Sequence, residues 1–359
     1  MRDPTREVWR IERAGSLDRL QRQRDALPEP GAGEARVRVH AVGLNFADVF
    51  ACLGLYSATP SGPFVPGLEF AGVVEVVGPP RRDSATSGAP VVGPGDEVMG
   101  VTRFGAYATA LNVDVRLLRR RPEGWDFAEA AAYPVQGMTA WYGLVELGSV
   151  EAGDVVLLHS AAGGVGLLAL AILGAIGARV VATVGRHAKR EFLVAQRGLS
   201  RDQVIVRDRR RFGIQLDEAL AAAGADGFDV VFDAVAGPFL LPAFSRLRPE
   251  GRLVVYGAAH FMPPRSRASD LRHAGLLIDY LRRPRLDPIA MVSQNRSVMA
   301  FNLIWLWGRI HRMSGAYAAL DALITAPPLV GRRFPFAEAP AALRHLQSGE
   351  SIGKVVLDV

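Results

Sequence analysis

Between residues 155 and 166 the chain reads V-V-L-L-H-S-A-A-G-G-V-G, an apolar run that ends in a glycine-rich turn. Residues 167–176 have the composition of a helix, and a second apolar run follows at 180–184. Strand, turn, helix and strand in that order form the unit that binds a dinucleotide pyrophosphate. Ala161, Gly163 and Gly166 occupy the three positions of the G-x-G-x-x-G fingerprint, with alanine at the first. Small residues are needed there because backbone must come close to two phosphates while the helix N-terminus aims its free N–H groups at them. Ala162, Gly163, Gly164, Val165 and Gly166 are therefore the candidate pyrophosphate contacts.

The end of the second apolar run discriminates between dinucleotides. An NAD site places Asp or Glu about 20 residues beyond the first glycines, on the ribose 2′-hydroxyl. Here Thr183 to Arg190 contains no acid, and Arg186, Lys189 and Arg190 supply three fixed cations before Glu191. Such a cluster attracts a 2′-phosphate. NADPH is the expected cofactor, with Arg186 and Lys189 as its phosphate partners. The plain alternative is a solvated helix start in an arginine-rich protein.

Composition limits the remaining possibilities. A chain of 359 residues exceeds one ordinary hydrophobic core, so two domains are expected. With 49% hydrophobic and 22% charged residues it has the make-up of a globular protein. The formal charge of +6 is carried almost wholly by arginine, since Lys189 and Lys354 are the only lysines. The arginines are scattered without a basic stripe interleaved with aromatics, so nucleic-acid binding is not expected. The single cysteine, Cys52, excludes an internal disulfide and a cysteine-rich metal site. The first residues lack the apolar core of a signal peptide, and no apolar run is long enough to span a bilayer, so a cytoplasmic protein without membrane association is expected.

Hydrophobic periodicity divides the chain into a β-rich first part and a later part in which strands and helices alternate. Strands are predicted at 35–42, 72–77, 96–101 and 106–110, with an aperiodic Pro/Gly/Ser-rich loop at 79–95. Helices are predicted at 128–132 and 139–147. Strands at 204–206, 228–232 and 252–256 then extend a parallel sheet. The last segment holds a helix at 337–347 and a strand at 355–359.

Together these pieces resemble the medium-chain dehydrogenase/reductase superfamily, in its zinc-independent quinone oxidoreductase branch. The resemblance rests on Asn45-Phe46-Ala47-Asp48, Pro66-Gly67-Leu68-Glu69-Phe70-Ala71-Gly72, Gly95-Asp96-Glu97-Val98, Gln136-Gly137-Met138-Thr139-Ala140, the nucleotide turn, residues 228–237, and Gly353-Lys354-Val355-Val356. Residues 280–288 and 295–307 are similar to the subgroup related to the vesicle amine transport protein. The resemblance implies an α/β fold: a GroES-like β-rich catalytic domain over 1–134, a Rossmann doubly wound parallel-sheet domain over 135–322, and a return to the catalytic domain over 323–359. The active site would lie in the cleft between the two.

The same resemblance assigns roles. Asn45 and Tyr56 would face nicotinamide and substrate, Asn45 holding an oxygen by its amide and Tyr56 donating a hydrogen bond or proton; alternatively both serve only loop structure and packing. Thr139 would lie near the nicotinamide ribose, and Tyr256, Gly257 and Ala258 would line the nicotinamide side. Asp48 is expected to cap the turn after it, Asp233 to order a strand end, His159 to be packed or at the cleft edge, and Lys354 to be a surface residue or, with Gly353, to reach the cleft. Zinc alcohol dehydrogenases carry their three metal ligands where this chain has Asn45, Leu68 and Val135, and leucine and valine cannot coordinate. No catalytic metal is therefore expected. Without a Lewis acid, hydride transfer suits acceptors that spread the arriving charge, namely quinones and α,β-unsaturated carbonyl compounds (enones). The branch also implies a homodimer. A cofactor-binding interaction protein of the vesicle amine transport type, with little turnover, is the alternative.

Overall fold

The computed structural model describes residues 5–81, 92–263 and 278–359. Two large sheets organise them. Strands β8 (Val155–His159), β9 (Arg179–Val184), β10 (Val204–Val206), β11 (Phe228–Asp233), β12 (Leu247–Val255) and β13 (Ser297–Ala300) form one six-stranded sheet in the order β10-β9-β8-β11-β12-β13. Every pairing in it is parallel. Counted from β8, that order is 3-2-1-4-5-6, the doubly wound Rossmann arrangement, and its direction reverses between β8 and β11. The strands are fully buried at its centre, which is why β8 and β11 read as nearly continuous apolar runs.

The second sheet is built mainly from the first third of the chain. β3 (Glu34–Gly43), β4 (Glu69–Val77), β5 (Glu97–Val101) and β7 (Leu118–Arg120) pair in antiparallel sequence, with β6 (Ala110–Asp114) beside β3. The last strands of the chain, β14 (Val330–Pro335) and β15 (Lys354–Asp358), complete it, with β15 antiparallel to β3. A hairpin of β1 (Thr5–Ile11) and β2 (Leu20–Ala26), which the charged alternation at the start of the chain concealed, lies alongside.

Helices join the two sheets. α1 (Phe46–Cys52) follows β3, and α2 (Phe127–Ala131) and α3 (Pro134–Trp141) carry the chain from one sheet to the other. One apolar core runs through this junction, from Ala41, Leu68 and Met99 through Ala130, Val135 and Met138 to Ala161, Leu168 and Ile172. α4 (Gly164–Ile176), α5 (His187–Arg197), α6 (Phe212–Ala222) and α7 (Leu240–Phe244) flank the parallel sheet.

Two predicted elements are corrected. The strand expected at 106–110 begins its ladder with β3 only at Ala110, because the Tyr107 N–H donates to Pro66 O and the Trp9 N–H to Tyr107 O, drawing that stretch toward β1. The helix expected at 139–147 starts earlier, with Pro134 in its first turn, and its end widens into a π-helical turn over Tyr142–Leu147. Residues 82–91 of the expected loop, and residues 264–277, lie outside the described residues.

Candidate active site

The glycine-rich turn leaves β8 at the point where the sheet order reverses. Ser160 enters the left-handed region, with φ 56°, and swings the chain off the strand. Gly163 caps α4, whose first return bond runs from the Leu167 N–H to Gly163 O at 2.9 Å. The N–H groups of Gly164, Val165 and Gly166 therefore lack an intrahelical acceptor and form an anion-ready terminus. Close approach requires the glycines. A Cβ on Gly166 would lie 2.5 Å from Ser160 O, and one on Gly164 would lie 1.6 Å from Gln136 Oε1. Gln136, in α3, is buried with that oxygen unpaired. It is a residue the sequence quoted in a motif but did not assign.

The opposite wall of the turn comes from the end of the chain. The Gly353 N–H donates to Ala162 O at 2.9 Å, and Gly353 pairs with Gly163 in an isolated parallel bridge.

Cations gather beyond β9. Arg186 caps α5 and reaches Ser348 O and Glu350, both at 3.4 Å. Lys189, one turn on, is half-buried and has no carboxylate within ion-pair distance among the described residues. Burial, with repulsion from Arg207 and Arg186, pushes its pKa down to about 8. Arg207 is the member that sequence reading missed; only its place directly after β10 could have marked it. Its guanidinium donates to Thr183 Oγ1 at 2.8 Å and lies 5.6 Å from the centre of the Phe239 ring. Burial holds it down at about 10. Arg190 instead stands beside Glu191.

His159 is fully buried, as a packed residue. Its Nδ1 lies 3.1 Å from Thr183 Oγ1, and burial pushes its pKa down to about 4. Since Arg207 donates to the threonine oxygen, the threonine hydroxyl is free to donate to a neutral imidazole. Asp233 Oδ1 accepts from the Val235 and Ala236 N–H groups at 2.6 and 3.0 Å, ordering the end of β11 as expected. Tyr256, just past β12, stacks on Phe232 with centroids 4.2 Å apart, and Gly257 and Ala258 follow it at the same sheet edge. The Thr139 hydroxyl donates within α3 to Val135 O at 2.6 Å.

The catalytic-domain side holds a buried polar cluster. Asp48 is fully buried and accepts from the Asn45 N–H at 2.8 Å, so it closes the start of its own helix α1 rather than capping the turn after it. Burial pushes its pKa up to about 7. Two further expectations are corrected here. Asn45 Nδ2 donates to Glu69 Oε1 at 2.9 Å and to Gly43 O at 3.3 Å, and its Oδ1 accepts from Lys354 Nζ at 3.0 Å. Both amide N–H groups are thus engaged inward, and none remains for a substrate oxygen. Lys354 is not a surface residue: it is 1% exposed and forms an ion pair with the wholly buried Glu69. Tyr56 is half-buried, and its hydroxyl donates to Asn302 Oδ1 at 2.7 Å. Asn302 follows β13, so this bond joins the segment after α1 to the segment after the last strand of the parallel sheet. Burial raises the phenol to about 12, which keeps it protonated at neutral pH.

Comparison with known proteins agrees with this geometry. Residues 31–123 match the alcohol dehydrogenase GroES-like domain, and residues 199–357 match a zinc-binding dehydrogenase family. The human synaptic vesicle membrane protein VAT-1 homolog is 30% identical over 342 residues, covering 94% of this chain and 82% of that one. A mycocerosic acid synthase-like polyketide synthase of Mycobacterium tuberculosis is 33% identical over 335 residues, 93% of this chain but 14% of the synthase. Among solved structures, the quinone oxidoreductase of Thermus thermophilus, known also as its NADPH complex, aligns with TM-score 0.73 and 28% identity over 98% of this chain and all of that one. The CurK enoyl reductase aligns with TM-score 0.74 and 27% identity, over 98% and 99%. The chain belongs to the medium-chain dehydrogenase/reductase superfamily of oxidoreductases. Within it the chain falls with the quinone oxidoreductases and VAT-1-like proteins.

The family name raises the question of zinc, and the donors do not fit it. Where alcohol dehydrogenases bind the metal, Leu68 and Val135 carry no donor atom, and the Lys354 ammonium is already hydrogen-bonded to Asn45. Among the described residues no three His, Cys, Asp or Glu side chains come together as a metal site.

Proposed function

We propose that this protein is a zinc-independent, NADPH-dependent reductase that transfers hydride to quinones or to α,β-unsaturated carbonyl compounds. The observation that carries this reading is the nucleotide turn with its three N–H groups that lack an intrahelical acceptor, set beside Lys189 and Arg207, half-buried cations with no carboxylate at ion-pair distance among the described residues. Charge partly withdrawn from water without an ion-pair partner is costly, and a bound phosphate relieves it. The residues fit the dinucleotide: Ala162 to Gly166 on the pyrophosphate, Arg186, Lys189 and Arg207 on the 2′-phosphate, Thr139 at the nicotinamide ribose, and Tyr256, Gly257 and Ala258 along the nicotinamide side.

The bound dinucleotide would supply the hydride. The chain's own residues do the rest. When hydride reaches the β-carbon of an enone, negative charge collects on the carbonyl oxygen. The Tyr56 O–H, neutral and held at rest by Asn302, turns its one proton from Asn302 Oδ1 to that oxygen. Asn45 acts one step removed, by holding the cleft floor. The NADPH-bound quinone oxidoreductase and the enoyl reductase among the structural relatives support the two acceptor classes.

The test is NADPH consumption by purified protein against a panel of 1,4-quinones and enones, with NADH in parallel. Faster turnover with NADPH is expected, unchanged by a chelator. Turnover of simple alcohols that a chelator abolishes would overturn the zinc-independent reading. The outer edge of β13 has no strand partner among the described residues, which supports a homodimer. Light scattering at the mass of one chain would refute that.

One observation favours a second reading, a cofactor-binding interaction protein with little turnover. Leu281, Ile289, Val292 and Trp305 are large apolar side chains more than half exposed on the segment leading to and past β13. Tight NADPH binding with no turnover across the panel is its signature.

A further inference from the structure

The buried ion pair Glu69–Lys354 lies on neither the nucleotide nor the acceptor, yet it joins the two walls of the nucleotide turn. Lys354 opens β15, and the residue before it, Gly353, holds Ala162 by backbone. Glu69 opens β4, and its Oε2 accepts the Val135 N–H at 2.8 Å in the first turn of α3. The next residue of α3, Gln136, presses on Gly164. The chain of contacts closes on itself: turn, Gly353, Lys354, Glu69, Val135, Gln136, turn. Asn45, bonded to both charged groups, ties the catalytic-domain floor into the same ring.

A fully buried ion pair contributes little net stability, because desolvation of both ions offsets their attraction; apolar residues of similar size usually do as well. What an ion pair supplies and an apolar pair does not is a fixed direction and distance between the elements that carry it. Burial holds the Lys354 pKa below the usual lysine value, and the neighbouring Glu69 charge offsets part of that.

We propose that Lys354, through Glu69, is a positioning residue that sets the depth of the nucleotide turn against the cleft floor, and so the approach of hydride donor to acceptor. This rests on the turn being the dinucleotide site, as proposed above. The test compares Lys354→Met with the double variant Glu69→Gln/Lys354→Met, which removes both charges and leaves no unpaired ion. Melting temperature, dinucleotide Kd by NADPH fluorescence, and kcat are read on each.

The single variant is expected to lose thermal stability. The double variant should regain it while kcat stays about 10–100-fold low and Kd stays raised, for NADPH and NADH alike. A double variant that recovers wild-type Kd and kcat together with its melting temperature would make the pair purely structural and end the proposal. Failure of the double variant to fold would assign the pair to stability and end it equally. If the wild-type protein binds no dinucleotide, it is the functional reading that fails. If it binds NADPH without turnover, the Kd comparison alone decides for or against the clasp.

Discussion

The Tyr56 hydroxyl donates a 2.7 Å hydrogen bond to Asn302 Oδ1, joining the loop after α1 to the segment after β13. On the proposed function this hydroxyl is the proton donor, held on Asn302 until an acceptor takes its place, and its raised pKa keeps it protonated. Tyr56→Phe is expected to lower kcat by about 100-fold, the lower end of what a positioned proton donor contributes, with melting temperature and NADPH Kd nearly unchanged. Because the phenol titrates near 12, its contribution should stay level to about pH 11 and fall above that. Wild-type kcat in the phenylalanine variant would leave Tyr56 a packing residue.

Lys189 predicts a pH dependence of a different kind. Its depressed pKa means that the ammonium is lost as pH rises through about 8 in the free protein. Affinity for NADPH should therefore weaken above pH 8, while affinity for NADH, which has no 2′-phosphate, should stay level. Replacing Arg186 and Lys189 by alanine should raise the NADPH KM by about 10–100-fold, the range of one or two charge-assisted hydrogen bonds. Arg207→Ala should act in the same direction. Equal effects on both dinucleotides would remove these cations from the phosphate site.

The glycines of the turn separate folding from binding. A Cβ at Gly163 meets only Ser160 O, at 3.4 Å, whereas at Gly166 it would meet backbone at 2.5–2.6 Å. Gly163→Ala is expected to change stability by less than about 1 kcal/mol, and Gly166→Ala to cost about 2 kcal/mol or more, as overpacking does. Gly163→Val should abolish dinucleotide binding by filling the space meant for phosphate. Calorimetry with titrated NADPH checks all three, and wild-type affinity in the valine variant would refute the turn assignment.

Asp48 makes the fold sensitive to pH in a specific window. Its carboxyl titrates near 4 when unfolded and near 7 when folded, so between those values the native state holds the extra proton. Stability should fall as pH rises from about 4 to about 7, by on the order of 4 kcal/mol from this group. Asp48→Asn, which keeps an acceptor for the Asn45 N–H, should flatten that slope. An unchanged slope in urea unfolding would exclude Asp48 as its source.

Much of the architecture is legible in residue order alone. The parallel sheet is announced by short apolar runs alternating with helical stretches, and the dinucleotide turn by its small residues between strand and helix. Asp48 and Asp233 are readable as local caps, the side that Asp48 closes apart, because a carboxylate that bonds backbone two or three residues away depends on nothing distant. Arg207 is not readable in this way. Its place beside Thr183 arises from the pairing of β10 with β9, and the run 207–211 offers three other arginines of equal appearance.

What the sequence determined, then, is most of the elements apart from the first hairpin, the alternation of strand and helix in the parallel-sheet part, and the absence of donor atoms at Leu68 and Val135. Those are properties of residue type and local spacing. Only the tertiary structure decided that Lys354 is an interior cation, that Asn45 turns its amide away from the cleft, and that Tyr56 meets Asn302. The bonds from Tyr56 to Asn302 and from Lys354 to Asn45 bring side chains together over separations of 246 and 309 residues, and Asn45 meets Glu69 over 24. The burial and the partner that fix such a group's charge and direction exist only once both sheets have closed around it.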